Sequence, residues 1–165
     1  MKPHIEIADA SPLWRSLPQV DALVRRAIEA SLEASGATIR DGAEVSVQLA
    51  DDAEVRALNA RWRKIDRSTN VLSFPAVSPD RIAATPMLGD IVMAFETVER
   101  EAADENKSLG DHVSHLAVHG FLHLVGYDHE IEADAERMEA LETSILAKLG
   151  IADPYAATDR ADVAP

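Results

Sequence analysis

Apolar residues along this chain recur with two different spacings, which predict strands and helices in alternation. Alternating or short apolar runs predict four strands, at residues 5–7, 45–49, 71–74 and 91–93. Residues 76–87, rich in Pro, Ala and Asp, are the predicted loop before the fourth strand. Helical spacing predicts about five helices, which run from Pro18 to Gly36, after Asp51, over residues 96–105, after Ser108 and from Ile131 to Gly150.

Capping residues mark two of these helix starts. Asp51 with Glu54, and Ser108 with Asp111, have the spacing at which a short polar side chain caps a helix. The alternation predicts an α/β (α+β) fold, a single domain over residues 1–150 with a small mixed four-stranded sheet packed by about five helices. The pattern does not encode the strand order. Residues 151–165, mostly Ala, Asp and Pro, are predicted to be a disordered tail.

Composition narrows the class of protein without changing this fold. The 165 residues are enough for one domain with one core. The absence of cysteine excludes disulfides and thiolate metal ligands. The first residues lack the apolar run of a signal peptide, and no apolar stretch approaches the length of a membrane span. These features predict a cytoplasmic protein without a membrane partner.

Charge is distributed unevenly along the chain. The net charge of -13 argues against general affinity for nucleic acid, and no DNA binding is expected. Five basic residues nevertheless lie close together, with Asp66 the only acid among them: Arg56, Arg61, Arg63, Lys64 and Arg67. They predict local binding of an anionic substrate, and the alternative is a solvated helix face. Trp62 ends an apolar helical face, which favours core packing over stacking on a base.

Three histidines carry the candidate chemistry. His119 and His123 are i and i+4, so a helix places both imidazoles on one face. Gly126 ends that helix, and the turn can bring His129 back towards the pair. Three imidazoles without a fourth protein ligand predict a catalytic Zn²⁺ site, one ion per chain, with an open position. The alternatives are three unrelated histidines, or the same ligands on nickel, iron or copper.

The other histidines and Asp128 are not predicted to be metal ligands. His115 lies one turn before His119, and a straight helix cannot bring three residues spread over two turns onto one ion, so His115 is expected to support or pack. His112 and His4 are predicted to be surface or capping residues. Asp128 has two open roles, as a residue that orients a ligand imidazole or as a turn residue.

The ligand spacing H-x3-H-x2-G-x2-H matches the metzincin peptidases, whose motif has a glutamate base after the first histidine. Here that position is Gly120, which cannot accept a proton. Amide hydrolysis must protonate an amine leaving group, whereas phosphodiester cleavage gains more from cations around the phosphoryl oxygens. Arg63 offers a planar fork suited to phosphate. The missing base and the basic residues favour a phosphodiester substrate over a peptide.

The histidine segment also resembles a known family. Residues 119–129 (HGFLHLVGYDH) match the HGxLHLxGYDH signature of the YbeY endoribonuclease family at every fixed position. Residues 62–75 (WRKIDRSTNVLSFP) resemble its second motif, residues 88–91 its LGD segment and residues 138–142 its last helix, so the motifs cover roughly residues 44–148. Two positions depart from the pattern, Ser68 where proline is usual and Lys64 where glycine is usual.

This resemblance implies a metal-dependent, single-strand-specific endoribonuclease in rRNA maturation, at the 3′ end of the small-subunit 16S rRNA, with a role in ribosome quality control. It also implies contacts with ribosomal small-subunit components and an assembly GTPase. The metal ligands it implies are His119, His123 and His129. The functional arginine it implies is Arg63. The expected RNA contacts are Lys64, Arg67 and Asn70, although Asn70 and Ser73 have the alternative of simply completing a strand.

Two other functions stay open from the sequence. A metallopeptidase would take its base from outside the histidine motif, for example from Asp128 or Glu96. A non-enzymatic ribosome assembly factor would use its zinc structurally, and would therefore unfold when the metal is removed. A catalytic site predicts instead a protein that is folded but inactive without metal.

Overall fold

The secondary structure alternates strands and helices, in a computed structural model that describes residues 1–127 and 132–156. The strands are β1 (His4–Asp9), β2 (Glu44–Ala50), β3 (Val71–Pro75) and β4 (Met87–Ala94). The described α-helices are α1 (Val20–Ser35), α2 (Asp52–Arg63), α3 (Phe95–Asp104), α4 (Leu109–Leu124) and α5 (Glu132–Lys148). The four predicted strands and about five predicted helices are confirmed. Two short 3₁₀ helices at Pro12–Ser16 and Pro79–Arg81 are additional.

The strands form one mixed sheet in the order β1-β2-β4-β3. β2 is parallel to β1 and to β4, whereas β3 is antiparallel to β4. β4 begins at Met87, inside the predicted loop, because the backbone of residues 87–90 pairs with the neighbouring strands. β3 is an edge strand, and α4 packs against it and against β4.

α4 is the central helix of the domain and also packs against α1, α3 and α5. Val118, Phe121 and Leu122 on this helix are fully buried. Gly89 permits the close approach of β4 and α4, because it has no Cβ. Its φ of 148° is also a backbone angle that residues with a side chain rarely adopt. A Cβ at this position would collide with the carbonyl oxygen of Phe74 and lie 2.7 Å from Leu124 Cδ2. The glycine of the LGD segment therefore sets how closely the histidine helix lies to the sheet.

Both predicted capping interactions are confirmed. The Asp51 side chain accepts a hydrogen bond from the backbone N–H of Glu54 at 2.9 Å, and Ser108 Oγ accepts one from Asp111 at 3.1 Å. α4 ends at Leu124, as expected from Gly126 just beyond it. The Ile131 start predicted for the last helix lies outside the described residues. None of the described helices combines the length and apolar content needed to cross a membrane.

The segment after α5 packs against the domain over its first residues. Pro154 is buried, and the half-buried Tyr155 donates a hydrogen bond from its hydroxyl to Glu142 Oε2. Residues 151–156, predicted to belong to a disordered tail, therefore have defined contacts because an aromatic residue reaches a buried acceptor. Residues 157–165 lie outside the described part of the chain.

Candidate metal centre and cleft

A cleft of about 570 Å³ opens between α4, β3 and the C-terminal end of α2. Among the residues that line it are Arg63, Asn70, Ser73, His119, His123 and Tyr127. The fold thus brings two predicted metal ligands, the predicted catalytic arginine and one predicted RNA contact to one place. The third predicted ligand, His129, and its neighbour Asp128 lie outside the described residues.

The two described histidines of the motif face one another across one helical turn. Their Nε2 atoms are 3.1 Å apart, and both side chains are partly exposed to the cleft. Two nitrogens bonded to one tetrahedral zinc at about 2.0–2.1 Å lie roughly 3.3 Å apart. The pair therefore fits a shared zinc ion with only a small adjustment of either ring.

A buried carboxylate orients one imidazole of this pair, that of His119. Glu142 on α5 is fully buried, and its Oε1 lies 2.6 Å from His119 Nδ1. Its Oε2 lies 2.9 Å from His115 Nε2 and also accepts the Tyr155 hydroxyl hydrogen bond. An ionised carboxylate can only accept, so His119 Nδ1 carries the proton and Nε2 presents its lone pair to the cleft. This carboxylate–histidine arrangement is the usual support of a metal-binding imidazole.

The protonation states of Glu142 and Tyr155 suit these roles. Burial would raise the pKa of Glu142, but hydrogen bonds from His115, His119 and the Tyr155 hydroxyl lower that pKa to about 2. Burial and the Glu142 carboxylate raise the pKa of Tyr155, so its hydroxyl keeps the proton that it donates. Glu142 therefore stays an acceptor at neutral pH.

Sequence reasoning did not identify Glu142 as a functional residue, although a signal exists. Glu142 lies four residues after Met138 and three before Ile145, and both of these are buried. An acid at that spacing falls on the buried face of α5. A carboxylate there needs partners, because burying an unpaired charge is costly.

Replacing Glu142 by glutamine should weaken zinc binding about 10- to 100-fold, because a neutral amide orients and polarises the His119 imidazole less well than a carboxylate. Glu139→Gln, at an exposed position of the same helix, is the matched control and should bind zinc like the unchanged protein. Zinc competition against a chromophoric chelator measures both affinities. Equal affinities for the two variants would contradict the orienting role.

Arg63 is the cation that the described cleft presents beside the histidines. Its Nη2 donates a hydrogen bond to the carbonyl oxygen of Ser73 at 3.2 Å, and its Cζ lies 5.7 Å from the centroid of the Phe74 ring. These contacts hold the guanidinium against the edge strand, and the carbonyl contact uses one of its five N–H donors. A phosphate in the cleft can take the others.

The other predicted RNA contacts occupy different positions. Asn70 lies in the cleft wall, where its amide donates to Glu101 Oε1 at 3.0 Å and its oxygen accepts the Val71 N–H at 2.6 Å. Both ends of the Asn70 amide therefore hold the wall together. Arg67 lines an adjoining cavity of about 430 Å³, which shares Arg63, Asn70 and Val71 with the cleft.

The two departures from the family pattern have a local structural account. Lys64 ends α2 in the left-handed conformation (φ 59°), which glycine adopts without steric cost. Lys64 is exposed, and neither of these two cavities includes it among its described lining residues. Ser68 donates a hydrogen bond to Asp52 Oδ1 at 3.1 Å, and Asp52 also accepts the Thr97 hydroxyl. A hydrogen bond thus anchors the loop where the family usually has proline.

The remaining histidines differ in how well sequence reasoning placed them. His115 packs beside the site and contacts Glu142, as expected of a supporting residue. His4 is exposed, as expected. The prediction that His112 is a surface or capping residue is wrong, because its side chain is buried and its Nε2 lies 2.8 Å from Glu101 Oε1 on the adjacent helix α3.

The prediction that Trp62 packs in the core is also wrong. Its side chain is 62 % exposed, and the Arg61 Cζ lies 5.0 Å from the centroid of its ring. The buried residues of α2 are Val55 and Asn59, so burial stops before the last turn of this helix. The helical spacing of apolar residues in α2 continues to Trp62, whereas the core covers this helix only as far as Asn59.

Position 120, where the peptidase motif has its glutamate base, packs closely against the sheet. A Cβ at this position would lie 3.1 Å from Ile91 Cγ2 and 3.2 Å from Ser73 Oγ, so the position faces the sheet at close range. A side chain there would have to push aside the Ile91 and Ser73 side chains. The alternative base Glu96 accepts a hydrogen bond from the Asp52 N–H at 2.9 Å and is not among the described residues that line the cleft.

The fold and the cleft define a class: an α+β domain whose central helix carries a histidine pair, supported by a buried carboxylate, beside an arginine at the sheet edge. The sequence model of the family described as "Endoribonuclease YbeY" matches residues 11–150. The chain belongs to this family, which confirms the resemblance found in its motifs.

Individual relatives agree with this assignment. The chain is 55% identical to the "Endoribonuclease YbeY" of Rhodopseudomonas palustris (strain BisA53), over 97% of this chain and 94% of the relative. It is 52% identical to the protein of that name from Bradyrhizobium sp. (strain BTAi1), over 97% and 96%. Its fold is similar to the solution structure of TM1509 from Thermotoga maritima, with a TM-score of 0.53, 24% identity and coverage of 88% and 91%.

Proposed function

We propose that this protein is a zinc-dependent, single-strand-specific endoribonuclease of the cytoplasm, which matures the 3′ end of 16S rRNA and serves ribosome quality control. The observation that carries the proposal is the His119–His123 pair, with Nε2 atoms 3.1 Å apart, in one cleft with Arg63. The names of its relatives support the RNA substrate. Ribosomal small-subunit components and an assembly GTPase are the proposed partners.

Each residue of the site has a definite task in this proposal. His119, His123 and His129 would hold one zinc ion, which supplies Lewis-acid chemistry and makes a nucleophile available at neutral pH. Glu142 keeps the proton of His119 on Nδ1, so that Nε2 faces the cleft. Arg63 donates hydrogen bonds to the phosphoryl oxygens as negative charge develops on them.

The residues around the cleft favour a phosphodiester over a peptide. Position 120 is a glycine that faces the sheet at close range, so this helix carries no base at the position where the related peptidase motif has one. A guanidinium lies in the cleft, and a second one, that of Arg67, lines the adjoining cavity. Arg67 and Lys64 would bind phosphates along the strand, while Asn70 shapes the wall that the RNA contacts.

The decisive experiment compares cleavage of a single-stranded RNA, the same RNA in a duplex and an unstructured peptide. We expect the zinc-loaded protein to cut the single strand alone. A chelator should abolish cutting while the circular dichroism spectrum is unchanged, and added zinc should restore it. Analysis of the product ends distinguishes attack by the ribose 2′-hydroxyl, which leaves a cyclic phosphate, from attack by water.

Two other results would overturn the proposal. Cleavage of the peptide but not of the RNA would identify a metallopeptidase. Unfolding of the protein by the chelator, together with no cleavage of any substrate by the loaded protein, would identify an assembly factor with structural zinc.

A further inference from the structure

We propose that Trp62 and Arg61 form a platform on which a base of single-stranded RNA stacks, outside the cleft and next to it. The inference rests on the proposed ribonuclease function and adds a second contact for the same strand. It assigns a role to an aromatic side chain that does not contribute to the core.

The exposure of Trp62 is the first observation. The chain has two tryptophans, and Trp14 is 1 % exposed with its Nε1 donating to the Ala50 carbonyl oxygen at 2.8 Å. Trp62, by contrast, is 62 % exposed, and Ile65 beside it is 40 % exposed. Tryptophan is highly buried on average, so the exposure of Trp62 together with Ile65 leaves apolar surface at the end of α2 that a ligand can cover.

The surrounding charge is the second observation. The Arg61 guanidinium lies against the Trp62 ring, with its Cζ 5.0 Å from the centroid, within the range of a cation–π contact. Asp66 is the only acid between residues 56 and 67, and Arg56 pairs with it at 2.8 Å. The remaining cations make this end of α2 positive on a protein of net charge -13. Such a patch attracts a polyphosphate chain locally.

The position relative to the cleft is the third observation. Trp62 immediately precedes Arg63, which lines both the cleft and the adjoining cavity. Ile65 and Arg67 also line that cavity. RNA that spans Arg63 and the adjoining cavity would therefore run along the end of α2 that carries the exposed indole. Aromatic stacking combined with a basic groove is the usual way to bind single strands without sequence preference, since every base has a π face.

The two tryptophans make a direct test possible. Binding of an oligouridylate to the zinc-loaded protein should quench the emission of exposed Trp62, measured by stopped flow before cleavage proceeds. Trp62→Leu retains only the buried Trp14, and its emission should not respond to the RNA. The same variant should raise KM for the RNA about tenfold and change kcat much less, because stacking away from the reacting phosphate contributes ground-state binding.

Trp62→Phe is the conservative variant and should restore most of the affinity, because a phenyl ring still stacks. Thermal melts of all variants show that an exposed position was changed without loss of the fold. If Trp62→Leu cleaves the RNA with the same KM, and RNA does not quench the emission of the unchanged protein, the platform is refuted while the ribonuclease stands. If the unchanged protein neither binds nor cleaves RNA, the proposed function and the platform both fail.

Discussion

His123→Ala should lower kcat/KM for single-stranded RNA about a thousandfold or more. His123 presents its Nε2 to the Nε2 of His119, and its loss removes one of the two described ligands of the proposed ion. A catalytic metal contributes several kcal/mol of transition-state stabilisation, and each 1.36 kcal/mol corresponds to a factor of ten in rate. Zinc content per chain, measured by elemental analysis, should fall together with the activity.

Glu139→Gln is the matched control for this variant. Glu139 is exposed on α5, so its replacement should change neither zinc content nor cleavage. The circular dichroism spectra of both variants report whether the fold is retained. A His123→Ala protein that keeps its zinc and cleaves RNA at the normal rate would remove His123 from the ligand set.

Arg63→Ala should lower kcat about 100- to 1000-fold, the usual loss when one preorganised donor to the developing charge is removed. Zinc affinity should not change, because the described contacts of the guanidinium are with Ser73 and Phe74. Arg63→Lys should recover only part of the rate, since a lysine ammonium keeps the charge but loses the planar fork. Single-turnover kinetics on a labelled RNA separates the chemical step from binding.

Arg56→Ala controls for the loss of one positive charge from the same helix. Arg56 is exposed and pairs with Asp66, so the Arg56→Ala variant should have an unchanged kcat. If Arg63→Ala raises KM and leaves kcat intact, Arg63 binds substrate without stabilising the transition state, and its catalytic role is wrong.

Most elements of the fold were predictable because their causes are local. Alternation placed β1 and β2, and the caps at Asp51 and Ser108 placed the starts of α2 and α4, through interactions within a few residues. The errors arose where distant segments decide the outcome. β4 is longer than its apolar run because the neighbouring strands extend its pairing, and His112 is buried because α3 covers it.

The candidate site also has some features that the local sequence determines and others that depend on tertiary packing. The spacing of His119 and His123 is enough to place both imidazoles on one face of α4, because a helix repeats every 3.6 residues. Glu142 lies 23 positions after His119 in the chain, and the two side chains meet only because α5 packs on α4. Arg63 enters the cleft only because β3, the edge strand against which α4 packs, holds its side chain.

The sequence pattern was thus sufficient to predict the helices, the strands, the spacing of the histidine ligands and the family. The strand order, the support of His119 by Glu142 and Tyr155, the sheet-facing position of Gly120 and the exposure of Trp62 were decided by tertiary packing. The physical reason is that a hydrogen-bonded helix or strand depends on neighbours in sequence. Burial and side-chain partners depend on which surfaces meet, and those surfaces come from parts of the chain that periodicity does not connect.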